Sequence, residues 1–426
     1  MLEFFKNKNL QKRLWFTLFA FLIYRFGCTL VLPGINSGVV SDAMASNSFL
    51  SIMSMMSGGS EQFSIFALGV MPYITASIII QLLSMDVIPY LTELAKSGQN
   101  GRTKLDNYTK YLAVVLGIVQ AISIIFTFNH EQSNLFIGGM TPAKLVFAVI
   151  VLLAGMMWLV WLSGRITDKG LGNGMSMIIM AGIVGRMPGQ WLTAYETLGT
   201  TWKLVIYILC MFIVLVGVTL LSTVERRIPV QYTSTSVKLS KTNNHSNYLP
   251  FKLNPASVIP VIFASSLMLA PLQVLQLFAD TDAYWYRLTE GLLGMKSWAS
   301  ICIYGLLVWF FTFFYTQLQT NPENLAENLQ KSGAYIPEVR PGKETYIYVN
   351  NVLSRTTVLG AIGLTAIAVL PHIMPLIWTE MPQAMALGGT GLIIVVGVAL
   401  ETTKQIRGIL TQNSYRKYYK VAGLEE

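Results

Sequence analysis

The run from Phe63 to Leu83, FSIFALGVMPYITASIIIQLL, carries no charge and constrains the chain more than any other stretch. About 20 apolar residues suffice to cross a bilayer as a helix, so the run is long enough to span. Yet Pro72 sits near its middle, Gly69 lies three residues earlier, and Ser64, Tyr73, Thr75 and Ser77 add hydroxyls. A helix facing only lipid has no partner for the backbone groups a proline frees. A helix that lines a cavity or packs within protein does. Just ahead, 49–56 (FLSIMSMM) is apolar but only about two turns long, too short to span. It closes on Ser57-Gly58-Gly59-Ser60. The chain therefore offers a short apolar helix, a glycine hinge and then a full but interrupted span.

The remainder has the same character. Of the 426 residues, 53% are hydrophobic and only 12% charged, against the quarter usual in soluble domains. This is the composition of a polytopic membrane protein. Ten apolar runs appear, at about 14–32, 63–84, 110–128, 143–163, 174–187, 203–222, 256–279, 298–318, 356–373 and 386–403. The fifth is the weakest, being short and bearing Gly174, Gly182 and Gly185. The first is too long for the apolar core of a signal peptide and lacks a small-residue cleavage motif. Before it, Lys6, Lys8, Lys12 and Arg13 alternate with Leu2, Phe4, Phe5 and Leu10, so 1–13 reads as a basic amphipathic helix on the membrane surface.

Charge placement sets the orientation. The side bearing the N-terminus holds 24 of the 30 Lys and Arg, and the other side 5: Lys144, Arg186, Lys203, Arg287 and Lys296. Arg25 lies within the first run. By the positive-inside rule both termini are cytoplasmic, which requires an even number of spans and so retains the fifth. The chain divides into a cytoplasmic N-terminus (1–13), a first half (14–187), a second half (188–403) with long polar loops at 223–255 and 319–355, and a cytoplasmic tail (404–426). Those loops read as solvated connectors that a partner could dock on. Pro72 in the second run and Pro260 and Pro271 in the seventh occupy matching places in the two halves. Paired broken helices point to a functional centre between repeats.

The runs offer little chemistry. Glu225 and Glu401 sit at run ends, His130, His245 and His372 are isolated, and Cys28, Cys210 and Cys302 have no metal or disulfide spacing. No phosphate-binding loop is present, and Gly172-Asn173-Gly174 reads as a break before the fifth run. An enzyme, a cofactor and a metal are therefore not expected. Ion-coupled transporters place acids or histidines within the membrane, so a secondary transporter of small solutes is the weaker alternative. A passive pore, or a channel driven by a partner, fits better, since a narrow apolar constriction seals by dewetting. The net charge of +9 belongs to membrane topology, and no nucleic acid is expected as substrate.

Six ordered blocks carry a resemblance: the Phe63–Leu83 run, Ile88–Tyr111 (IPYLTELAKSGQNGRTKLDNYTKY), Ile166–Val184 (ITDKGLGNGMSMIIMAGIV), Asn254–Leu267 (NPASVIPVIFASSL), Asn321–Thr345 (NPENLAENLQKSGAYIPEVRPGKET) and Gly388–Thr402 (GGTGLIIVVGVALET). Together they resemble the SecY/Sec61-alpha family, channel-forming subunits of the Sec protein translocase. The resemblance implies an all-α polytopic membrane protein of ten transmembrane helices in two pseudo-symmetric halves of five around a central pore, with a short plug helix. It implies a bacterial plasma-membrane channel that passes unfolded secretory chains and releases membrane segments sideways into lipid. An accessory channel dedicated to few substrates is the variant reading. The family's pore ring falls on Val70, Ile74, Met175, Ile179, Ile262 and Ile394. Its plug falls on 47–57, hinged at Gly58 and Gly59. Its lateral gate falls on Thr75, Gln120 and Ser265, polar groups expected to hydrogen-bond across helices. Docking of the SecA motor or the ribosome falls on Arg226, Arg227 and Arg340. Ser234, Thr235, Leu239 and Ser240 stand where many members have Lys or Arg, so that contact is expected to be weaker or shifted. SecE-like and SecG-like small membrane subunits are the further partners implied.

The charge asymmetry predicts Lys241 and Lys343 inside the cell, and Asp282 and Glu380 outside. Single cysteines at these positions, in an otherwise cysteine-free chain, should react with an impermeant maleimide on intact cells only at the latter two. Labelling at 343 from outside would reverse the orientation.

Overall fold

Long apolar runs become helices because only a helix satisfies every backbone group within its own segment. The computed structural model of the chain describes residues 8–36, 40, 63–85, 87–131, 136–137, 139–199, 202–232, 248–278, 284–295, 297–320, 322–378 and 383–421. In order, these form α1 (Lys8–Thr29), α2 (Met71–Leu83), α3 (Pro89–Lys96), α4 (Gly98–Glu131), α5 (Pro142–Lys169), α6 (Gly174–Leu198) and α7 (Trp202–Thr223). Then come α8 (Ile259–Phe278), α9 (Tyr284–Leu293), α10 (Trp298–Gln319), α11 (Pro322–Lys331), α12 (Lys343–Ile377) and α13 (Gln383–Val421). Among the described residues, α4, α5, α7, α10 and α12 are long and apolar enough to cross a membrane, and α2 and α8 are shorter apolar helices. The protein is thus a mostly helical, multi-pass membrane protein.

Several boundaries differ from the sequence reading. The run at 63–84 is not one helix. Residues 63–70 form turns and α2 begins only at Met71, so Pro72 sits in its first turn, where a missing N–H costs nothing. Pro260 likewise opens α8, while Pro271 lies inside it. The fifth run continues to Leu198 through Pro188, so a division at 187/188 falls within a helix. Lys8–Arg13 are the first turns of α1 and not a separate surface helix, and 404–421 continue α13 without a break.

The turn segment 63–70 is held by the residues after α1. Leu32 N–H donates to Phe63 O at 3.1 Å and Ile65 N–H to Leu30 O at 3.1 Å. Phe66 stacks between Tyr24 of α1 and Trp158 of α5, with ring centroids 6.2 and 5.3 Å away. Two glycines make room for it. A Cβ on Gly27 would lie 1.9 Å from the Phe66 ring, and one on Gly155 would lie 2.2 Å from Ile65 O.

Helices α1, α2, α4, α5 and α6 form one set, and α7, α8, α10, α12 and α13 the other. They meet where α8 packs on α2 and α4, and where α13 packs on α6. One buried apolar core runs through both sets. At one end, the long loops are more than connectors. Strands β1 (Glu225–Pro229) and β3 (Tyr248–Lys252) pair antiparallel, while β2 (Gln231–Tyr232) pairs with β4 (Ala334–Tyr335) of the other loop. Ile228, Phe251, Ile336, Val349 and Leu353 bury a small core beneath them. Two loops that each read as solvated share an interior, and this end of the bundle is called the loop end below.

Gly155→Val would force a branched side chain against the Ile65 carbonyl. Overpacking of this kind costs about 1–3 kcal/mol, so thermal unfolding of the detergent-solubilised protein should occur several degrees lower. An unchanged melting curve would mean that the 63–70 segment is free to move away from α5.

Candidate functional site

Between the helix sets lies a cavity of about 740 Å³. Its polar lining includes Asp106 and Lys110 from the start of α4, and Arg165 and Asp168 from the end of α5. These positions put its mouth at the loop end. Deeper in the wall stand Ile74, Met175, Ile179 and Ile262. The mouth is nearly balanced in charge. Asp106 accepts from Tyr73 Oη at 2.9 Å and pairs with Lys110 Nζ at 2.6 Å, while the Arg165 guanidinium lies 5.4 Å from the Trp161 ring centre. The sequence reading noted the Tyr73 hydroxyl but passed over Asp106 and its pairing with Tyr73 and Lys110. The Asp106–Lys110 spacing of four, one turn of a helix, was the available signal.

The six ring positions come together in part. Val70, Ile74, Ile179, Ile262 and Ile394 are all buried in the single core that joins the helix sets, and half-buried Met175 packs against it. They come from the N-cap and first turn of α2, the start of α6, the first turn of α8 and the first third of α13. Met175 sits at the N-terminus of α6, where its N–H donates to the Asn173 side chain at 3.1 Å, so it lies nearer the loop end than Ile179. Val70 and Ile394 are absent from the cavity wall and lie beneath it, in the core. The arrangement is a polar mouth above an apolar floor.

Thr75, Gln120 and Ser265 are buried on the helices that meet at the α8 seam. Their expected bonding across the helices is not what the hydroxyls do. Thr75 Oγ1 donates to Met71 O at 3.1 Å and Ser265 Oγ to Val261 O at 2.8 Å, each within its own helix. An i−4 carbonyl is always in reach of a helical Ser or Thr, whatever the neighbour offers. Gln120 Oε1 has no hydrogen-bond partner among the described residues. The plug positions 47–57 and the hinge Gly58 and Gly59 lie outside the described residues, as do Ser234, Thr235, Leu239 and Ser240.

Arg226, Arg227 and Arg340 are exposed at the loop end, on the unit that the β2–β4 pairing assembles. Arg227 Nε donates to Glu225 Oε1 at 2.9 Å, and its guanidinium lies 4.6 Å from the Tyr248 ring centre. Arg226 is opposite Phe251 in the ladder. Arg340 O accepts from Thr345 Oγ1 at 2.9 Å, which fixes the backbone while leaving the guanidinium to solvent. At the same end the Lys404 ammonium is shifted below its usual range, chiefly by partial burial and then by Lys252, with Glu225 and Glu401 opposing. Among the described residues no group of His, Cys, Asp or Glu is placed to hold a metal ion.

Two sets of helices around a cavity with a charged mouth and an apolar floor, in a multi-pass membrane protein, define a channel or transporter by class. Comparison with known proteins decides between them. The SecY family model matches residues 64–403. Protein translocase subunit SecY 1 of Lactobacillus kefiranofaciens subsp. kefiranofaciens is 40% identical, over 96% of this chain and 97% of its own. Protein translocase subunit SecY of Streptococcus gordonii is 41% identical, over 96% of each chain. The fold matches a solved structure described as a protein conducting channel, with TM-score 0.66 and 19% identity over 93% of this chain and 91% of that one. It also matches Sec61 in the canine ribosome-channel complex, with TM-score 0.62 and 18% identity over 93% and 91%. The chain belongs to the SecY family. That family forms protein-conducting channels and is not a family of enzymes, which closes the small-solute transporter reading.

Proposed function

We propose that the chain is the central channel subunit of a Sec translocon in a bacterial plasma membrane. It spans the bilayer ten times with both termini cytoplasmic, and a plug at 47–57 hinges on Gly58 and Gly59. Unfolded secretory chains enter from the cytoplasm through the charged mouth, cross the apolar floor, or leave between α8 and the α2/α4 pair into lipid. One observation carries this reading: apolar side chains of α2, α6 and α8 line the wall of a cavity whose mouth is polar, and they belong to one buried cluster that Ile394 of α13 also joins. Such a cluster excludes water and ions at rest yet has no fixed bonds to break when a chain passes. Small SecE-like and SecG-like membrane subunits complete the assembly. The SecA motor or the ribosome docks on the loop-end unit through Arg226, Arg227 and Arg340, positive charges clustered opposite a partner's acidic surface.

Two experiments bear on this. Arg340→Glu should slow post-translational export severalfold at unchanged protein level, because it reverses a charge at the docking face without touching a buried contact. Export at the wild-type rate would remove Arg340 from the docking face. Ile74→Asn combined with Ile262→Asn should make the resting channel conduct ions in planar bilayers without any substrate, because polar groups let water persist across the constriction. Asparagines on the lipid-facing side of the same helices should not. A double mutant as tight as the wild type would move the seal elsewhere.

A further inference from the structure

Helix α8 leaves the loop-end strands and runs away from them, and α10 returns toward that end at Gln319. The short helix α9 (Tyr284–Leu293) therefore lies at the opposite end of the bundle. Its amphipathicity is inverted. At about 100° per residue, Tyr284, Trp285, Leu288 and Leu292 share roughly a quarter of the helix surface. All four are exposed, Tyr284 and Trp285 at 72% each. The half-buried side carries Tyr286, Thr289 and Glu290 instead, with Leu293 packed on the core. A surface helix in water turns its apolar face to the protein. This one turns it away.

The helix is held in that pose. Gly294 N–H donates to Glu290 O at 2.8 Å. Ser297 Oγ donates to Gly291 O at 2.6 Å and accepts the Ser300 N–H at 3.3 Å, so one side chain ties the end of α9 to the cap of α10. Met295, in the link between them, is buried in the core. Rolling the apolar arc inward would break these contacts. Other aromatics gather at the same end. Trp202 opens α7 and Trp298 opens α10, both exposed, and Trp378 follows α12 with its ring centre 5.7 Å from that of Trp202. In membrane proteins Trp and Tyr concentrate at the headgroup level, and Tyr284 and Trp285 extend this belt.

We propose that α9 lies in the bilayer interface of the leaflet farther from the loop end, with Tyr284, Trp285, Leu288 and Leu292 set into the boundary between headgroups and acyl chains. Its partner is the lipid surface. A contiguous apolar patch marks an interaction site, and a helix with one apolar arc, joined to membrane helices, meets lipid first. Helices of this kind bury that arc about 5–10 Å below the headgroups. Exposed Arg287 borders the arc, where a long cationic side chain reaches up to the headgroup level. The connector between α8 and α10 is then part of the membrane-embedded surface and not a solvated loop.

The test uses the full chain with the membrane subunits that accompany it, Cys28, Cys210 and Cys302 being replaced by Ala, in vesicles of phosphatidylethanolamine and phosphatidylglycerol. A nitroxide on Leu288→Cys, and separately on Leu292→Cys, is relaxed by oxygen, which concentrates in lipid, and by a nickel chelate, which stays in water. The oxygen-to-nickel collision ratio at both sites should lie severalfold above that of Lys343→Cys at the loop end, toward the value of Leu209→Cys on the exposed face of α7. A ratio equal to that at 343 would put the face in water and overturn the proposal. Low collision rates with both reagents would overturn it equally, since they would mean that protein, a partner subunit or a second copy, covers the face.

Discussion

Everything in this bundle answers to one constraint: a backbone group at membrane depth must find its partner inside the protein. An unpaired amide in hydrocarbon costs several kcal/mol. The helices meet this automatically, so the breaks show where the chain has spent effort. Residues 63–70 borrow partners from Leu30 and Leu32, just after α1. The glycine turn at 170–174 draws on Thr17, Thr167 and Gln405. At 254–257, Asn254 Nδ2 donates to Ser257 O at 2.7 Å, and Leu253 N–H donates to Val224 O at 3.0 Å. Each break lies just ahead of a helix whose first turns carry ring positions: Ile74 on α2, Met175 and Ile179 on α6, and Ile262 on α8. Irregular backbone is what brings these helix starts to one point.

Much of this was legible in the residues. Apolar length located the helices, and Pro72 beside Gly69 marked the disturbed segment correctly. The nature of the disturbance was not legible. A proline in the middle of an apolar run and a proline opening a helix after buried turns look alike in one dimension. Only the partners of 63–70, more than thirty residues back just after α1, tell them apart. Helix ends failed for a related reason. Hydropathy reports where lipid stops, while the hydrogen-bond ladder of α6 and α13 runs on into water to Leu198 and Val421. The loop-end unit was illegible because its strands are two to five residues long and one pair, Gln231 with Tyr335, joins two separate loops about a hundred positions apart. The gate hydroxyls were seen but their bonds were not, since a serine's choice between its own helix and a neighbour depends on distances the sequence does not carry.

The mouth and the floor use opposite physics. At the mouth, Asp106 and Lys110 are paired and Arg165 lies over an indole, so charge is present without a strong net field. A passing chain of either sign meets no deep well. Among the described residues, the floor positions Val70, Ile74, Ile179, Ile262 and Ile394 carry only apolar side chains. A ring of hydrogen-bonding groups would hold water when closed and would demand matching donors and acceptors from whatever entered. Apolar side chains ask for nothing specific. Their contacts are individually weak, about 0.1–0.2 kcal/mol per atom pair, and can be exchanged for contacts with any other side chain. A seal made this way is tight to ions, which lose hydration they cannot replace, and permissive to polypeptide, which brings its own surface. In the channel proposed above, selectivity against ions and tolerance of sequence would both follow from one choice of side chain, placed at the starts of α2, α6 and α8, where the backbone is broken.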